Sequence, residues 1–555
     1  MAANETADLA FVNGAVYTVD AARSWASAVA ISGRRIVSVG SDDDVRELVG
    51  SSTEIMDLGG RMLLPGFQDA HVHPPSSGFE MLHCNLSEAY AVEDYERIVA
   101  GYASAHADES WIVGGGWSMD VFPGGNPGKE VLDGVVRDRP VYLMSRDGHS
   151  TWVNSRALEI AGVTKDTPDP ADGWIVRNVD GEPAGTLHEG AFLLVERHVP
   201  KPSAMDWIEG LRAAQRYLHS LGITAWQDAI VGGSYPTFEA YVEFAGSGGL
   251  TARVVGALWW DRHRGIEQVE DLIALRERGR VGRFAAGTVK IMQDGVIENR
   301  TAAVLEPYLE ADGRRSQNRG RSFVEAEELK ACITRLDAEG FQVHVHAIGE
   351  RGVREALDAF QVARATNGAN DHRHHIAHLQ VVHPDDIPRF RELGVVANVQ
   401  PLWAVGEGQM LHLTIPFLGP ERSGWQYPFA SLVGSGATLA MGSDWSVSSA
   451  NPLWEMHVAV NRTAPEDYTY GGGTGEPFLP EERIGLATAV DGFTINSAYV
   501  NHLDHVTGSI EVGKLADLVV LDRNVFAHPV EEIAEAEVIL TLVEGERVFD
   551  DGRLS

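Results

Sequence analysis

The sequence predicts an α/β protein: a (β/α)8 barrel flanked by a small β-sandwich that both chain termini build together. Three observations carry this. Eight short apolar strand candidates run through the middle of the 555-residue chain, with helical stretches between several of them. The first sixty and last fifty residues instead alternate apolar and polar positions around tight turns. Between the first two barrel strands lies a segment far too long for a simple connecting loop.

Taken in order, AFVNGAVYTVD, SAVAISGRRIVSVG and TEIMDLGGRML read as small strands separated by Asn-Gly, Ser-Gly and Gly-Gly turns. GSIEVGKLADLVVLD and AEVILTLVEGERVFDDGR close the chain in the same style. The expected division is residues 1–61 and 499–555 for the sandwich and 62–498 for the barrel, with an insertion at about 74–221. The barrel strands are the one ending at His71 and His73, then 222–230, 252–260, 287–295, 341–349, 374–382, 394–401 and 437–445. VEAEELKACITRLDAEG (324–340) is one of the helix-like stretches between them. A doubly wound sheet would call for a Gly-rich phosphate loop after its first strand, and the sequence has none. The insertion contains GGGWSMDVFPGG, RPVYLMSRDGHSTWVNS and a hairpin around Asp180-Gly181. It is expected to cap the C-terminal face of the barrel, where catalytic loops lie.

Composition narrows the function. A formal net charge of −34 argues against nucleic-acid binding, which needs basic patches to neutralise phosphates. No apolar run approaches a membrane span, and the N-terminus lacks the basic start and apolar core of a secretory signal. Cys84 and Cys332 are too few for a disulfide framework. A soluble cytoplasmic protein is expected, with a homodimer as the default assembly.

The strand ends carry the chemistry. His71 and His73 are two apart on an extended segment, so both imidazoles face one point. Lys290 lies on the fourth strand, His344 and His346 on the fifth and His378 on the sixth, and Asp444 ends the eighth. Imidazole and carboxylate donors without thiolates suit zinc, with manganese, iron, cobalt or nickel as alternatives. His346, next to the Gly-containing exit loop, is the expected ligand, with His344 supporting it or filling core. His372, His374 and His375 begin their strand and are expected at the surface or as caps. An ammonium beside a divalent ion is repelled, so a plain Lys290 is costly there unless it loses its charge. Carbamylation by carbon dioxide would do this; binding a substrate carboxylate or pairing with Asp294 are the alternatives.

LLPGFQDAHVHP, VKIMQDGV, VHVHAIGE, HHIAHLQ, GSDW and GSIEVGKLADLVVLD occur in an order that resembles the amidohydrolase superfamily, and within it the amidohydrolase-3 branch. The likeness runs from Ala10 to about Val548 and includes the long insertion. It implies a TIM-type barrel with a β-sandwich and a metal site made of His71, His73, Lys290, His346, His378 and Asp444. Lys290 is similar to the carbamylated lysine of ureases, which implies two ions. One departure is Glu350, where relatives commonly carry Asp.

The reaction expected from this resemblance is hydrolysis of a small non-peptide amide, such as an N-substituted formamide or related N-acyl amine, by a metal-activated water. Asp444 is expected to take the water's proton and pass it to the leaving nitrogen. A deaminase, a cyclic-amide hydrolase or an N-acyl amino acid hydrolase are alternatives, and a non-catalytic interaction protein is a remote one. Trp117, Phe122, Trp152, Trp403 and Trp445 are expected to form an aromatic substrate wall, with His149 and Asp294 as further substrate-binding residues.

Overall fold

The computed structural model describes residues 6–466, 468 and 475–554. Its central sheet takes parallel strands in chain order: Phe67–Val72, Ile223–Val231, Arg253–Trp259, Phe284–Met292, Gln342–Ala347, His375–His378, Val396–Val399 and Leu439–Met441. All eight expected strands are present, and together they form a nearly closed TIM-type (β/α)8 barrel. The strands are apolar runs because helices cover their outer faces and side chains fill the interior.

The seam between the eighth strand and the first is held just past the last ladder. Asp444 donates its N–H to the His71 carbonyl at 2.8 Å, and His73 donates to the Trp445 carbonyl at 3.1 Å. The buried Asp69 carboxylate accepts from the N–H of His71 (2.9 Å) and from the hydroxyl of Ser443 (2.6 Å). Gly442 allows this approach: a Cβ there would stand 2.4 Å from the His71 nitrogen. The first and last motifs are thereby pulled onto one rim.

Two sheets are built from the chain ends. The six-stranded one runs Glu546–Asp550, Val538–Val543, Leu518–Leu521, Met62–Pro65, Ala15–Tyr17 and Trp25–Ala26. The other has four strands, Arg35–Gly40, Ala28–Ser32, Leu9–Val12 and Glu54–Asp57. Phe11, Val29, Leu63, Leu518 and Leu542 share one buried apolar cluster with residues of both sheets. Met62–Pro65 belongs to the six-stranded sheet, so the boundary expected after residue 61 falls just ahead of a strand of that sheet. Arg253, on the third barrel strand, pairs with Asp517 and Glu544 and ties these sheets to the barrel.

Within residues 74–221 a further six-stranded sheet forms, in the order Gly173–Arg177, Pro183–Glu189, Ser150–Val153, Val141–Ser145, Ile112–Trp117 and Cys84–Asn85. The hairpin around Asp180-Gly181 is there, with Gly181 at φ 86°. Trp117 and Trp152 are fully buried in the apolar core of this insertion beside Phe122. Their indole N–H groups donate to the carbonyls of Leu143 and Gly128, each at 2.9 Å. This corrects the expectation of a substrate wall. An indole whose ring is packed and whose only donor is satisfied by backbone holds the insertion together. Both cysteines are buried and unpaired. Among the described residues, no helix is long and apolar enough to cross a membrane.

Candidate metal centre

Six side chains meet at the C-terminal rim of the barrel. Nε2 of His73 lies 2.8 Å and Nε2 of His71 3.2 Å from Oδ1 of Asp444. Nζ of Lys290 is 3.4 Å from His71 Nε2. The His378 ring is 4.7 Å from that of His71 and 4.4 Å from that of His346. Nδ1 of His378 is 3.9 Å from Asp444 Oδ2. The structure thus brings together His71, His73, Lys290, His346, His378 and Asp444.

Three buried atoms of these side chains are short of partners. Asp444 Oδ1, His346 Nδ1 and His378 Nδ1 are buried without a hydrogen bond. Buried polar atoms are rarely left so, because each forfeits its hydration. Lone pairs that crowd within about 3 Å without pairing suit a shared cation, and the donor set suits zinc or another borderline divalent ion. The backbone is strained at the same place: His378 and Asp444 have φ of 80° and 54°, left-handed values that a non-glycine residue holds only when its surroundings enforce them.

Electrostatics keep the donors in ligand form. Burial pushes His71 down to about 3, assisted by the Lys290 charge and opposed by Asp444. His346 and His378 are driven well below the ordinary imidazole range, chiefly by burial. Burial alone would raise Asp444, but the His71 and His73 imidazoles hold it well below the usual carboxylate range. Burial takes Lys290 down to about 7, against the pull of Asp444 and Asp228. Neutral imidazoles, an ionised carboxylate and a readily deprotonated amine are what metal binding requires.

Asp294 does not line a substrate surface, contrary to expectation. It is fully buried, and its carboxylate accepts from the N–H groups of Ile348 (3.0 Å), Gly349 (2.9 Å) and Ala303 (2.9 Å). One oxygen lies 3.3 Å from His346 Nδ1, so Asp294 fixes the loop beyond His346. His149 reaches the centre from the insertion, its ring 5.6 Å from that of His346. Its Nδ1 lies 3.0 Å from the buried Glu189 carboxylate, which also accepts from Thr301 Oγ1 at 2.8 Å. Burial opposes charge on His149, but Glu189 raises it to about 9. Trp403 lies parallel to His378, with ring centres 5.1 Å apart. Trp445 packs on Tyr217 instead.

Sequence reading missed Glu189 and Asp228. Asp228 lies within the second barrel strand, three residues before its end, with Oδ2 buried and unpartnered, and burial raises it to about 6. An acid inside an apolar strand was its signal. His375 was expected near the surface with His372 and His374, yet it is completely buried and packs on His344. His372 and His374 do reach a second acid, Asp337, each at 2.9 Å. That trio is no ion site. Nδ1 of His374 accepts the Val343 N–H at 3.0 Å, so its Nε2 carries the proton given to Asp337. Asn367 and Asn370 donate to the same carboxylate.

Residues 54–549 match the amidohydrolase family (Amidohydro_3). The chain belongs to that family, and is by that membership a hydrolase. It is 32% identical to Protein LONG AFTER FAR-RED 3 of Arabidopsis thaliana, over 98% of this chain and 92% of that one. It is 26% identical to N-substituted formamide deformylase of Arthrobacter pascens, over 97% of each. A crystal structure described as an uncharacterized metal-dependent hydrolase from Pyrococcus furiosus superposes with a TM-score of 0.70 at 26% identity, covering 93% of this chain and 99% of that one.

Proposed function

We propose that this protein is a metal-dependent hydrolase that cleaves the carbon–nitrogen bond of a small non-peptide amide, an N-substituted formamide or a related N-acyl amine. The observation that carries the reading is the crowding of His71, His73 and Asp444 around one point, with the rings of His378 and His346 packed in turn beside it. The likeness to a formamide deformylase over the whole chain supports the substrate class.

His71, His73 and Asp444 would hold one divalent ion, zinc by donor type, and His346 and His378 a second. Lys290 is the residue placed to be shared. A buried amine lowered to about 7 is substantially neutral at physiological pH and therefore nucleophilic towards carbon dioxide. Its nitrogen would form a bond to that carbon and release a proton, leaving a carboxylate where an ammonium would be repelled. Bound divalent ions lower the pKa of water towards neutrality and polarise a carbonyl oxygen.

The remaining steps fall to the chain. Asp444, ionised and at the centre of the cluster, accepts the proton of the attacking water and returns it to the departing nitrogen, so the amine leaves neutral. His149, with Nδ1 engaged by Glu189, presents Nε2 to the substrate, and Trp403 offers an aromatic face next to His378. The test is a panel of N-substituted amides with metal-reconstituted protein, starting with formate release from N-benzylformamide. Elemental analysis should find about two ions per chain by this reading.

A second reading rests on one observation: His71, His73 and Asp444 alone already form a compact three-ligand set. Such a set holds one ion and suits deamination on the same scaffold. One ion per chain together with ammonia release, and no formate, would favour it.

A further inference from the structure

Below the metal centre, a line of buried side chains runs down the barrel interior, and its hydrogen bonds can be read in one direction only. It starts at two backbone carbonyls. Gln342 donates from Nε2 to the carbonyl oxygens of Arg373 (2.8 Å) and Val500 (2.6 Å). Carbonyl oxygens only accept, so the amide of Gln342 cannot be reversed, and its Oε1 must accept. It does so from Thr288 Oγ1 at 2.7 Å and Gln227 Nε2 at 3.1 Å. Gln227 is thereby fixed in turn, with Nε2 also reaching Asn501 Oδ1 at 3.0 Å. Its Oε1 faces Nδ1 of His344 at 2.7 Å. His344 has to carry its proton on Nδ1, which leaves a lone pair on Nε2. That lone pair lies 3.0 Å from Nδ1 of His71. His71 must then donate from Nδ1, and its Nε2, the nitrogen facing Asp444 and Lys290, is left unprotonated.

We propose that Gln342, Gln227 and His344 are positioning residues that hold His71 in the one tautomer able to bind a metal through Nε2. The chain fixes by hydrogen-bond direction what burial alone leaves open. A neutral imidazole has two tautomers, and only one presents a lone pair to the site. All of these side chains are buried, so water cannot substitute for a missing partner. The line ends on residues at and next to the helix Ile495–Val500, which places part of the specification of a ligand in the C-terminal segment. The inference rests on the metal-binding reading above.

Affinity for Co2+ tests it, measured on metal-stripped full-length protein by competition with a chelator and by the visible absorption of the bound ion. His344→Phe removes the acceptor and should weaken Co2+ binding by about 10- to 100-fold. His344→Gln can still accept from His71 and donate to Gln227, and should restore binding close to that of the wild type. Gln342→Met, which touches no metal ligand, should also weaken binding because Gln227 is then free to turn over. Thermal unfolding of each variant separates loss of fold from loss of tautomer. The relay is overturned if His344→Phe binds Co2+ as tightly as the wild type, or if folded His344→Gln binds as poorly as His344→Phe. A wild-type chain that binds no Co2+ would remove the metal reading itself, and the relay with it.

Discussion

Oδ1 of Asp444 lies 2.8 Å from Nε2 of His73, although one follows the last barrel strand and the other the first. The contact lacks hydrogen-bond geometry, and the oxygen is buried without a partner. Asp444 is therefore both ligand and proton carrier in the proposed reaction. Asp444→Asn keeps a ligating oxygen but loses the basic one. Metal content should stay near that of the wild type while turnover falls by about 10²- to 10⁴-fold. Near-normal turnover in that variant would dismiss Asp444 as the shuttle.

His149 stands apart from the metal ligands because it comes from the insertion and is anchored by Glu189. His149→Phe should lower kcat/KM by about 10- to 100-fold, the size of a lost hydrogen bond to a charged group. Glu189→Gln should move it in the same direction. Elemental analysis should show unchanged metal in both, and a loss of metal would place His149 among the ligands instead.

Trp152 belongs to the core of the insertion. Trp152→Ala should cost about 3–5 kcal/mol of stability, as for other large-to-small core changes. The milder Trp152→Phe should lower the melting temperature without reordering preference among amide substrates. A change of preference with stability intact would return Trp152 to the substrate wall.

Asp337 accepts from His372, His374, Asn367 and Asn370, and these hydrogen bonds outweigh burial and hold it far below the usual carboxylate range. Its folded value is depressed, so its contribution is complete above the unfolded carboxylate value near 4. It is lost progressively as pH falls below that, towards the folded value. Asp337→Ala should destabilise the protein by about 1–3 kcal/mol at pH 7, since four hydrogen bonds to an ionised carboxylate are lost. Denaturant melts should show that difference shrinking in acid.

Chelation should abolish activity and lower the melting temperature, because an ion that binds only the folded chain stabilises it. Zinc should restore both. A melting temperature indifferent to chelator would contradict a resident ion.

The eight strands were legible because each is a short apolar run, with helical stretches between several of them, and a barrel repeats that alternation. His71 and His73 announced a shared target through the two-residue period of an extended chain. Other features were not legible. Trp117 and Asp294 have the residue types of a substrate pocket, and only packing shows one satisfied by the Leu143 carbonyl and the other by three backbone N–H groups. Glu189 and Gln227 sit among ordinary strand residues, and their importance lies in partners far away along the chain.

The sequence by itself determined the succession of strands and helices and which donors would stand at the strand exits, since period and residue type are local properties. Tertiary structure decided which donors share a point, which acids are held by backbone N–H groups, and which nitrogen of His71 is left bare. Those outcomes depend on burial and hydrogen-bond direction between distant segments, and neither exists until the barrel closes.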